Sequence, residues 1–271
     1  MNGERGHVVS IVIPLLDEEE SLVELHRQLT DTLEKTAAGH ELIFVDDGSR
    51  DASLDILRRL REKDRRVKII SFGRNYGKSA ALAEGFKEAR GDVVVTIDAD
   101  LQDDPAEIPA MIAMLDDGWD LVSGWKENRR DPISKTLPSR VWNAMVALVS
   151  GIRLHDFNCG LKAYRAEVVK RVRVYGDLHR FIPVLAGWEG FRVTEKAVSH
   201  SPRRFGRSKY GASRFLNGIF DMMTVWFITR RSSSPLHFFG RVAALFFGAG
   251  GLITLYFFIV WLAGRGLRVR P

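Results

Sequence analysis

The sequence predicts an α/β fold built on a mostly parallel sheet, followed by a helix that crosses a membrane. Between residue 8 and about residue 125, apolar runs of strand length alternate with stretches of helical length. Strands that alternate with helices in this way form parallel sheets covered on both faces. Further along, residues 242–263 include no charged side chain, and a helix of that length can cross the hydrocarbon core of a bilayer.

Four strands and three helices are predicted in the first half of the chain. The strands are expected at 8–16, 41–47, 67–72 and 92–100, and the helices at about 21–37, directly after Asp51, and at about 79–89. Each of these strands ends in polar or turn residues. Ligands of such sheets bind beyond the carboxyl ends of the strands, so the four ends are expected to supply one polar rim.

The second half of the chain is less regular. After Trp125, the basic and proline-containing segment 126–140 is predicted to form a loop over the rim, followed by a helix at about 141–149. Residues 156–165 and 193–209 are interpreted as short strands and turns that return to the sheet or its edge.

An amphipathic helix is predicted at 212–231. Its polar residues recur at helical spacing as a narrow stripe, formed by Arg214, Asn217, Asp221 and Thr224. We expect this helix to lie in the membrane interface, with packing on the soluble domain as the alternative. For 242–263 the alternatives are a membrane span and a buried core helix, and the lack of a polar face favours a span. The chain is therefore divided into an α/β domain at 1–211, an interface helix at 212–234, and a transmembrane segment with its tail at 235–271.

Charge and cysteine content limit the function classes. The net charge is +6, and basic residues are concentrated in 126–140, 203–209 and 230–241. Anionic lipid headgroups explain basic residues beside a span, whereas no nucleic-acid-binding signature accompanies them. The single cysteine, Cys159, excludes an internal disulfide and a clustered zinc site.

Two carboxylates, Asp98 and Asp100, follow the fourth predicted strand. Carboxylates spaced by one residue at a strand end can both reach a hard divalent cation, and that cation can bridge the phosphates of a nucleoside diphosphate. The pattern therefore predicts an Mg²⁺ or Mn²⁺ site, although an ordinary acidic turn has the same spacing.

Carboxylates also follow the first and second predicted strands. Asp46 and Asp47 can accept hydrogen bonds from a base or a ribose, and Gly48 permits a tight turn between them and the next helix. Asp51 is expected to cap that helix. Glu18 is placed at the same rim, where an ordinary acidic helix start is the alternative.

Six motifs, in a fixed order along the chain, resemble those of a known family. They read PLLDEEES, VDDGSRD, GRNYGKSAAL, DADLQDDP, DFNCGLKAYR and RRFGRSKYG. In this order the motifs resemble the inverting family-two glycosyltransferases of the GT-A fold, and more narrowly the polyprenyl-phosphate glycosyltransferases, over about residues 8–264. Dolichyl-phosphate mannose synthase and the bacterial undecaprenyl-phosphate glucosyltransferases belong to that group.

The resemblance implies a nucleotide pocket, a metal site and an acceptor site. The nucleotide pocket would comprise Pro14, Glu18, Asp46 or Asp47, Gly77, Lys78 and Asp98. The metal, Mg²⁺ or Mn²⁺, would be held by Asp98, Asp100 and Gln102. The acceptor phosphate would be bound by Lys126, Arg129, Arg130, Lys135, Ser139, Arg140, Arg203, Ser208 and Lys209. Asp156 matches the position of a catalytic base and would act with Asp100 and Lys126, with orientation of a sugar hydroxyl or a loop cation as its alternative role.

The sequence departs from the family pattern in two places. Leu16 and Asp17 stand where relatives often carry an aromatic residue and an asparagine, and Lys126 stands where a loop arginine is frequent. The first departure weakens any inference about stacking on the base. The second leaves open which cation holds the acceptor phosphate.

The resemblance implies inverting transfer of a hexose from a nucleotide sugar, with UDP-glucose favoured, to a polyprenyl phosphate. A phosphate oxygen would attack the anomeric carbon in line, and the metal would stabilise the departing nucleoside diphosphate. The alternatives are a GDP-mannose-dependent mannosyltransferase and a non-catalytic membrane scaffold. A processive synthase is disfavoured because Gln28 and Gln102 are the only glutamines and neither begins a Q-x-x-R-W motif. The absence of G-x-G-x-x-G after the first strand disfavours a dinucleotide oxidoreductase.

The basic residues on the two sides of the span give opposing indications of membrane topology. Arginines before it favour a cytoplasmic catalytic domain, in a bacterial inner membrane, whereas arginines after it partly cancel the bias. These residues are Arg230, Arg231 and Arg241 on one side and Arg265, Arg268 and Arg270 on the other. Related enzymes generally have a second span, so this chain is expected to be truncated before one. A homo-oligomer formed through the interface helix and the span is compatible with the sequence.

Overall fold

The structure is a computed structural model that describes residues 7–126, 143, 145–148, 150–199, 201, 223–224, 226–227 and 235–263. The chain divides into two compact units, Met1–Val225 and Trp226–Pro271. The three-part division expected from the sequence stays a prediction, because most of 212–234 lies outside the described residues.

The described part of the first unit contains a seven-stranded sheet with the order β3-β2-β1-β4-β6-β5-β7. The strands are β1 Val8–Leu15, β2 Gly39–Asp46, β3 Val67–Ser71, β4 Val93–Thr96, β5 Leu121–Trp125, β6 Lys162–Arg165 and β7 Val193–Ala197. Strands β3, β2, β1 and β4 pair in parallel, as β5 and β7 do. Strand β6 runs antiparallel to both of its neighbours. The predicted mostly parallel sheet is therefore confirmed, whereas β5 and the antiparallel direction of β6 were not predicted.

The described residues form helices in both units. They are α1 Leu22–Leu33, α2 Ser53–Lys63, α3 Lys78–Glu88, α4 Ile108–Asp116, α5 Ala166–Arg171, α6 Ile182–Trp188 and, in the second unit, α7 Pro235–Leu262. Two short 3₁₀ helices, Pro105–Glu107 and Leu178–Phe181, precede α4 and α6. Helix α4 was not predicted. Of the helix expected at 141–149, residues 143 and 145–148 are described and are helical.

The core of the first unit lies on both faces of the sheet. Ile11, Val12 and Ile13 are consecutive and completely buried, which is typical of a central parallel strand. Helix α3 packs directly on this strand, because a Cβ placed on Gly85 would lie 2.3 Å from Cγ1 of Val12. Helix α1 buries one apolar stripe, formed by Leu22, Leu25, Leu29 and Leu33.

Helix α7 dominates the described part of the second unit. Its segment Phe239–Leu262 has a mean hydropathy of 2.1 and is not buried by the protein. Its length and composition suffice to cross a membrane, so the structure contains a candidate for the predicted span. Of the predicted interface helix, residues 223, 224, 226 and 227 are described and are helical.

Candidate active site

A cleft of about 350 Å³ opens at the carboxyl ends of the parallel strands in the first unit. The residues that line it are Pro14, Leu15, Leu16, Glu18, Asp47, Asn75, Gly77, Lys78, Ala81, Asp98, Ala99, Asp100, Asp177, His179 and Arg180. The ends of β1, β2 and β4 and the start of α3 thus meet around one space. The residues expected to form the nucleotide pocket line this cleft, except Asp46.

The turn after β1 is fastened to the turn after β2. Asp17 adopts a left-handed backbone conformation with φ 49°, which aspartate and asparagine tolerate better than most residues. Its amide donates a hydrogen bond to Ser49 Oγ at 2.9 Å, and its Oδ1 accepts one from the Arg50 amide at 2.8 Å. Asp17 is therefore compatible with the left-handed turn at this position, and its side chain links the two turns.

The two turns also join at the start of α2. Asp51 Oδ1 accepts a hydrogen bond from the Ser53 amide at 2.9 Å, and Oδ2 accepts one from the Glu19 amide at 3.1 Å. The capping position of α2 is Ala52, one residue later than predicted. Asp51 nevertheless binds the first amide of the helix, because its side chain reaches past Ala52.

Asp46 and Asp47 are both buried, but their carboxylates accept hydrogen bonds from different parts of the chain. Asp46 accepts hydrogen bonds from the Ser49 amide at 2.9 Å and the Ser71 hydroxyl at 3.1 Å. Asp47 accepts hydrogen bonds from the amides of Tyr76 and Gly77 at 2.7 and 2.9 Å. Asp47 thus fixes the turn that leads into α3 while lining the cleft, and Asp46 braces the ends of β2 and β3.

Gly48 allows these turns to come together. It has a φ of 79°, and a Cβ at this position would lie 2.6 Å from the carbonyl carbon of Arg74. Any larger residue here would separate the turn after β2 from the turn before α3.

Asp98 and Asp100 project into the cleft from the end of β4. Asp98 Oδ1 forms an ion pair with the ammonium of Lys78, the first residue of α3. Asp100 is 8% exposed, and its Oδ1 accepts a hydrogen bond from the Gln102 amide at 3.2 Å. Between them and Gln102 the chain turns through Leu101, which has a φ of 58°.

This donor set fits a divalent metal ion that arrives with its substrate. Among the described residues, no group of three or more His, Cys, Asp or Glu side chains forms a ready cation site. Mg²⁺ and Mn²⁺ prefer oxygen ligands, and Mg²⁺ is commonly held by one or two carboxylates together with substrate phosphates and waters. Asp98 and Asp100 supply that pair, whereas the side-chain amide of Gln102 points to the Ser201 carbonyl at 3.4 Å.

Lys126 is held inside the protein at the end of β5. Its ammonium lies 3.3 Å from a carboxylate oxygen of Asp103, and their side chains are 14% and 1% exposed. Burial is the largest single influence and opposes the charge on Lys126, but the nearby acidic groups, Asp103 foremost, together outweigh burial and raise the lysine pKa above its ordinary value. Lys126 therefore lies in a buried ion pair that joins β5 to the segment after Asp100.

Asp156 lies in a buried turn between β5 and β6. It is 2% exposed, and its Oδ1 accepts a hydrogen bond from the Asn158 amide at 2.9 Å. On β6, the ammonium of Lys162 donates a hydrogen bond to the Cys159 carbonyl, and burial lowers the pKa of Lys162. Burial also raises the pKa of the Cys159 thiol to about 12, so a nucleophilic thiolate is not available at neutral pH.

Three cleft residues, Asp177, His179 and Arg180, were not predicted from the sequence. They belong to the short segment that begins α6, far along the chain from the four strand ends. The only local signal is the spacing of Leu178 and Phe181, which are buried and three residues apart. That spacing places the two residues between them on the opposite side of a 3₁₀ turn.

The remaining acceptor-site residues lie outside the described residues. They are Arg129, Arg130, Lys135, Ser139, Arg140, Arg203, Ser208 and Lys209. Their assignment to the acceptor phosphate stays a prediction.

Comparisons with known proteins agree on one family. The model of glycosyl transferase family 2 matches residues 10–173. The dodecaprenyl-phosphate galacturonate synthase of Rhizobium johnstonii is 38% identical over 97% of this chain and 80% of its own length. The undecaprenyl-phosphate 4-deoxy-4-formamido-L-arabinose transferase of Pseudomonas paraeruginosa is 38% identical over 97% of this chain and 78% of its own length.

Solved structures confirm the fold. Glucosyl-3-phosphoglycerate synthase from Mycobacterium tuberculosis, solved with Mn²⁺, UDP-glucose and glycerol 3-phosphate, superposes with a TM-score of 0.60 at 18% identity. The superposition covers 83% of this chain and 80% of that one. The predicted GT-A fold is thereby confirmed.

Proposed function

The chain belongs to glycosyl transferase family 2, and from this premise we propose that it transfers a sugar from a nucleoside diphosphate sugar to a polyprenyl phosphate. The observation that carries the proposal is the meeting of Asp98, Asp100 and Lys78 at one end of the strand-end cleft. A cleft with metal-binding carboxylates at the carboxyl edge of a parallel sheet suits a diphosphate substrate.

The donor would lie along the cleft with its nucleoside toward β1 and β2. Glu18 provides an acceptor there for a base or a ribose, while Asp47, Asn75 and Gly77 form the adjoining wall. Because Asp47 is already bound to two backbone amides, it acts mainly by shaping this wall. The diphosphate would lie at the other end, beside Lys78, Asp98 and Asp100.

A divalent metal ion held by Asp98 and Asp100 would neutralise charge on the departing diphosphate. The protein holds the acceptor phosphate and the donor sugar in position to react. An oxygen of the acceptor phosphate forms a bond to the anomeric carbon, and the bond from that carbon to the diphosphate oxygen breaks with its electron pair on the diphosphate. A single displacement of this kind inverts the anomeric configuration.

Asp156 is proposed to orient a reacting group and not to remove a proton. A phosphate monoester is already largely ionised near pH 7, since its second pKa is about 6, so its oxygen needs no general base. The burial of Asp156 and its hydrogen bond from the Asn158 amide favour a fixed hydrogen-bonding role toward a sugar hydroxyl or a cation.

Two observations favour a polyprenyl phosphate as the acceptor. The two curated relatives named above are a dodecaprenyl-phosphate synthase and an undecaprenyl-phosphate transferase. The second unit contains a helix with the length and hydropathy of a membrane span. We further propose that the catalytic unit lies on the cytoplasmic side of a bacterial inner membrane, because nucleotide sugars are made in the cytoplasm.

UDP-glucose is the donor favoured by the sequence motifs, with GDP-mannose as the alternative. Galacturonate and 4-deoxy-4-formamido-L-arabinose are further candidate sugars, because the two relatives are named for them. The test is to incubate the detergent-solubilised chain with Mn²⁺ and undecaprenyl phosphate and to offer UDP-glucose, UDP-galacturonate, UDP-linked formamido-arabinose and GDP-mannose separately. Mass spectrometry should find one lipid-phosphate-sugar that forms only when donor, lipid and metal are all present. Nucleotide binding without any glycolipid would contradict the proposed acceptor.

A further inference from the structure

A short 3₁₀ turn, Leu178–Phe181, presents two basic residues to the donor cleft. Leu178 and Phe181 are 2% and 1% exposed, and residues three apart share one face of a 3₁₀ helix. Their burial anchors the turn and leaves His179 and Arg180 on the other face. Both of these residues line the cleft.

The turn is fastened to the start of α3 through Ser79. The His179 amide donates a hydrogen bond to Ser79 Oγ at 3.1 Å, and the His179 Nδ1 atom lies 3.0 Å from the same oxygen. Ser79 directly follows Lys78, whose ammonium pairs with Asp98. Arg180 is therefore held at the end of the cleft where the diphosphate is expected.

One N–H group of the Arg180 guanidinium is buried and has no hydrogen-bond acceptor among the described residues. Within the described residues, its Nε atom is buried and has no hydrogen-bond partner. A buried donor without an acceptor costs free energy, and the cost is larger for a charged group. Arg180 also borders a small cavity that it shares with Lys78, Asp98 and Gly160.

The charges around the cleft indicate which kind of ligand satisfies Arg180. The lining contains five carboxylates, those of Glu18, Asp47, Asp98, Asp100 and Asp177. Lys78 is already paired with Asp98. A diphosphate that gains negative charge as its bond to the sugar breaks needs a further cation, and a guanidinium binds two phosphate oxygens at once through its planar fork.

We propose that Arg180 is a donor-binding residue whose guanidinium binds the oxygens of the leaving nucleoside diphosphate, with the Ser79–His179 hydrogen bonds holding it in place. This assignment rests on the proposed function, because it requires a nucleoside diphosphate in the cleft. It makes the C-terminal part of the catalytic unit a direct contributor to donor binding.

The test measures nucleotide binding, so that it does not depend on turnover. Calorimetry of the full detergent-solubilised chain with Mn²⁺ would compare uridine, UMP and UDP, and guanosine, GMP and GDP, for the wild type, Arg180→Gln and Arg180→Lys. Arg180→Gln should weaken binding of the nucleoside diphosphate at least tenfold and change nucleoside binding less than twofold. Arg180→Lys should recover part of the loss, because it restores the charge without the fork. Arg58→Gln, at an exposed arginine of α2, is the matched control and should bind like the wild type.

Equal affinity of the wild type and Arg180→Gln for the diphosphate would overturn the assignment while leaving the proposed function intact. A loss that appears with UDP-galacturonate but not with UDP would also overturn it, because the contact would then be with the sugar carboxylate. If the wild type bound neither UDP nor GDP, the proposed function itself would be wrong. Thermal unfolding of each variant shows whether a loss of affinity comes from a loss of folding.

Discussion

Gly160 lies directly against the carboxylate of Asp98. A Cβ placed on Gly160 would be 2.5 Å from Oδ2 of Asp98, closer than real Cβ contacts come. The other carboxylate oxygen, Oδ1, is paired with Lys78 on α3. Asp98 is thus held between the backbone of the turn that carries Asp156 and the first residue of a helix.

Substituting Gly160→Ala should therefore displace Asp98 and impair metal-dependent catalysis. We expect kcat/KM to fall at least tenfold, which corresponds to about 1.4 kcal/mol of transition-state stabilisation, and the Mn²⁺ concentration for half-maximal activity to rise. Gly73→Ala is the matched control, because a Cβ at Gly73 meets nothing within 4 Å. Unchanged metal dependence in Gly160→Ala would show that Asp98 does not need this contact.

Asp47→Asn should loosen the turn that precedes α3. The carboxylate accepts hydrogen bonds from two amides, Tyr76 and Gly77, whereas an asparagine side chain has only one acceptor oxygen. We expect a loss of about 1–3 kcal/mol in stability, seen as a lower thermal midpoint, and a raised KM for the donor. Asp55→Asn, at an exposed residue of α2, should leave both quantities unchanged.

The buried pair of Asp103 and Lys126 gives a prediction about stability. Removing one partner leaves the other charged and buried, which costs about 3 kcal/mol or more. Asp103→Asn and Lys126→Met should each lower the thermal midpoint strongly, and the double variant should recover much of the loss. If Lys126→Met alone unfolded at the wild-type temperature and reduced only the affinity for the lipid, the ion pair would have no structural role.

Cys159 should make stability depend on alkaline pH. Its thiol ionises near pH 9.0 when unperturbed and near pH 12 in the folded protein, because it is buried. Between these values the unfolded state loses a proton that the folded state keeps, so rising pH favours unfolding by up to about 1.4 kcal/mol per pH unit. The stability contribution is complete below pH 9 and declines above it. Comparing thermal midpoints of the wild type and Cys159→Ala from pH 7 to 10.5 should show a steeper decline for the wild type; parallel curves would contradict the raised thiol pKa.

The first half of the fold could be predicted because its signals are local. Apolar runs such as the one that ends in Asp46 and Asp47 identify the parallel strands, and polar strand ends identify the edge where the cleft forms. The sequence could not decide which of these two aspartates lines the cleft, since that depends on amides near Tyr76 supplied by another loop. The antiparallel direction of β6 was not predicted for a similar reason, because it is fixed by contacts with β4 and β5.

Arg180 shows the limit of sequence reasoning most clearly. Its four-residue turn is too short for a periodic pattern, and its place in the cleft depends on a hydrogen bond between His179 and Ser79, which are 100 positions apart. The spacing of Leu178 and Phe181 is visible in the sequence, but it does not indicate which ligand the residues between them meet.

The proposed transfer of sugar onto a lipid phosphate depends on the cleft at Asp98 and Asp100. The most direct measurement is transfer of radiolabel from the sugar of the accepted nucleotide donor into an organic-soluble lipid, compared between the wild type and Asp100→Asn at saturating undecaprenyl phosphate. We predict that the wild type labels the lipid only with Mn²⁺ or Mg²⁺ present and that Asp100→Asn, although folded, loses at least a hundredfold in rate. Label in the lipid at the wild-type rate with Asp100→Asn would contradict the claim, as would label that appears only as free sugar.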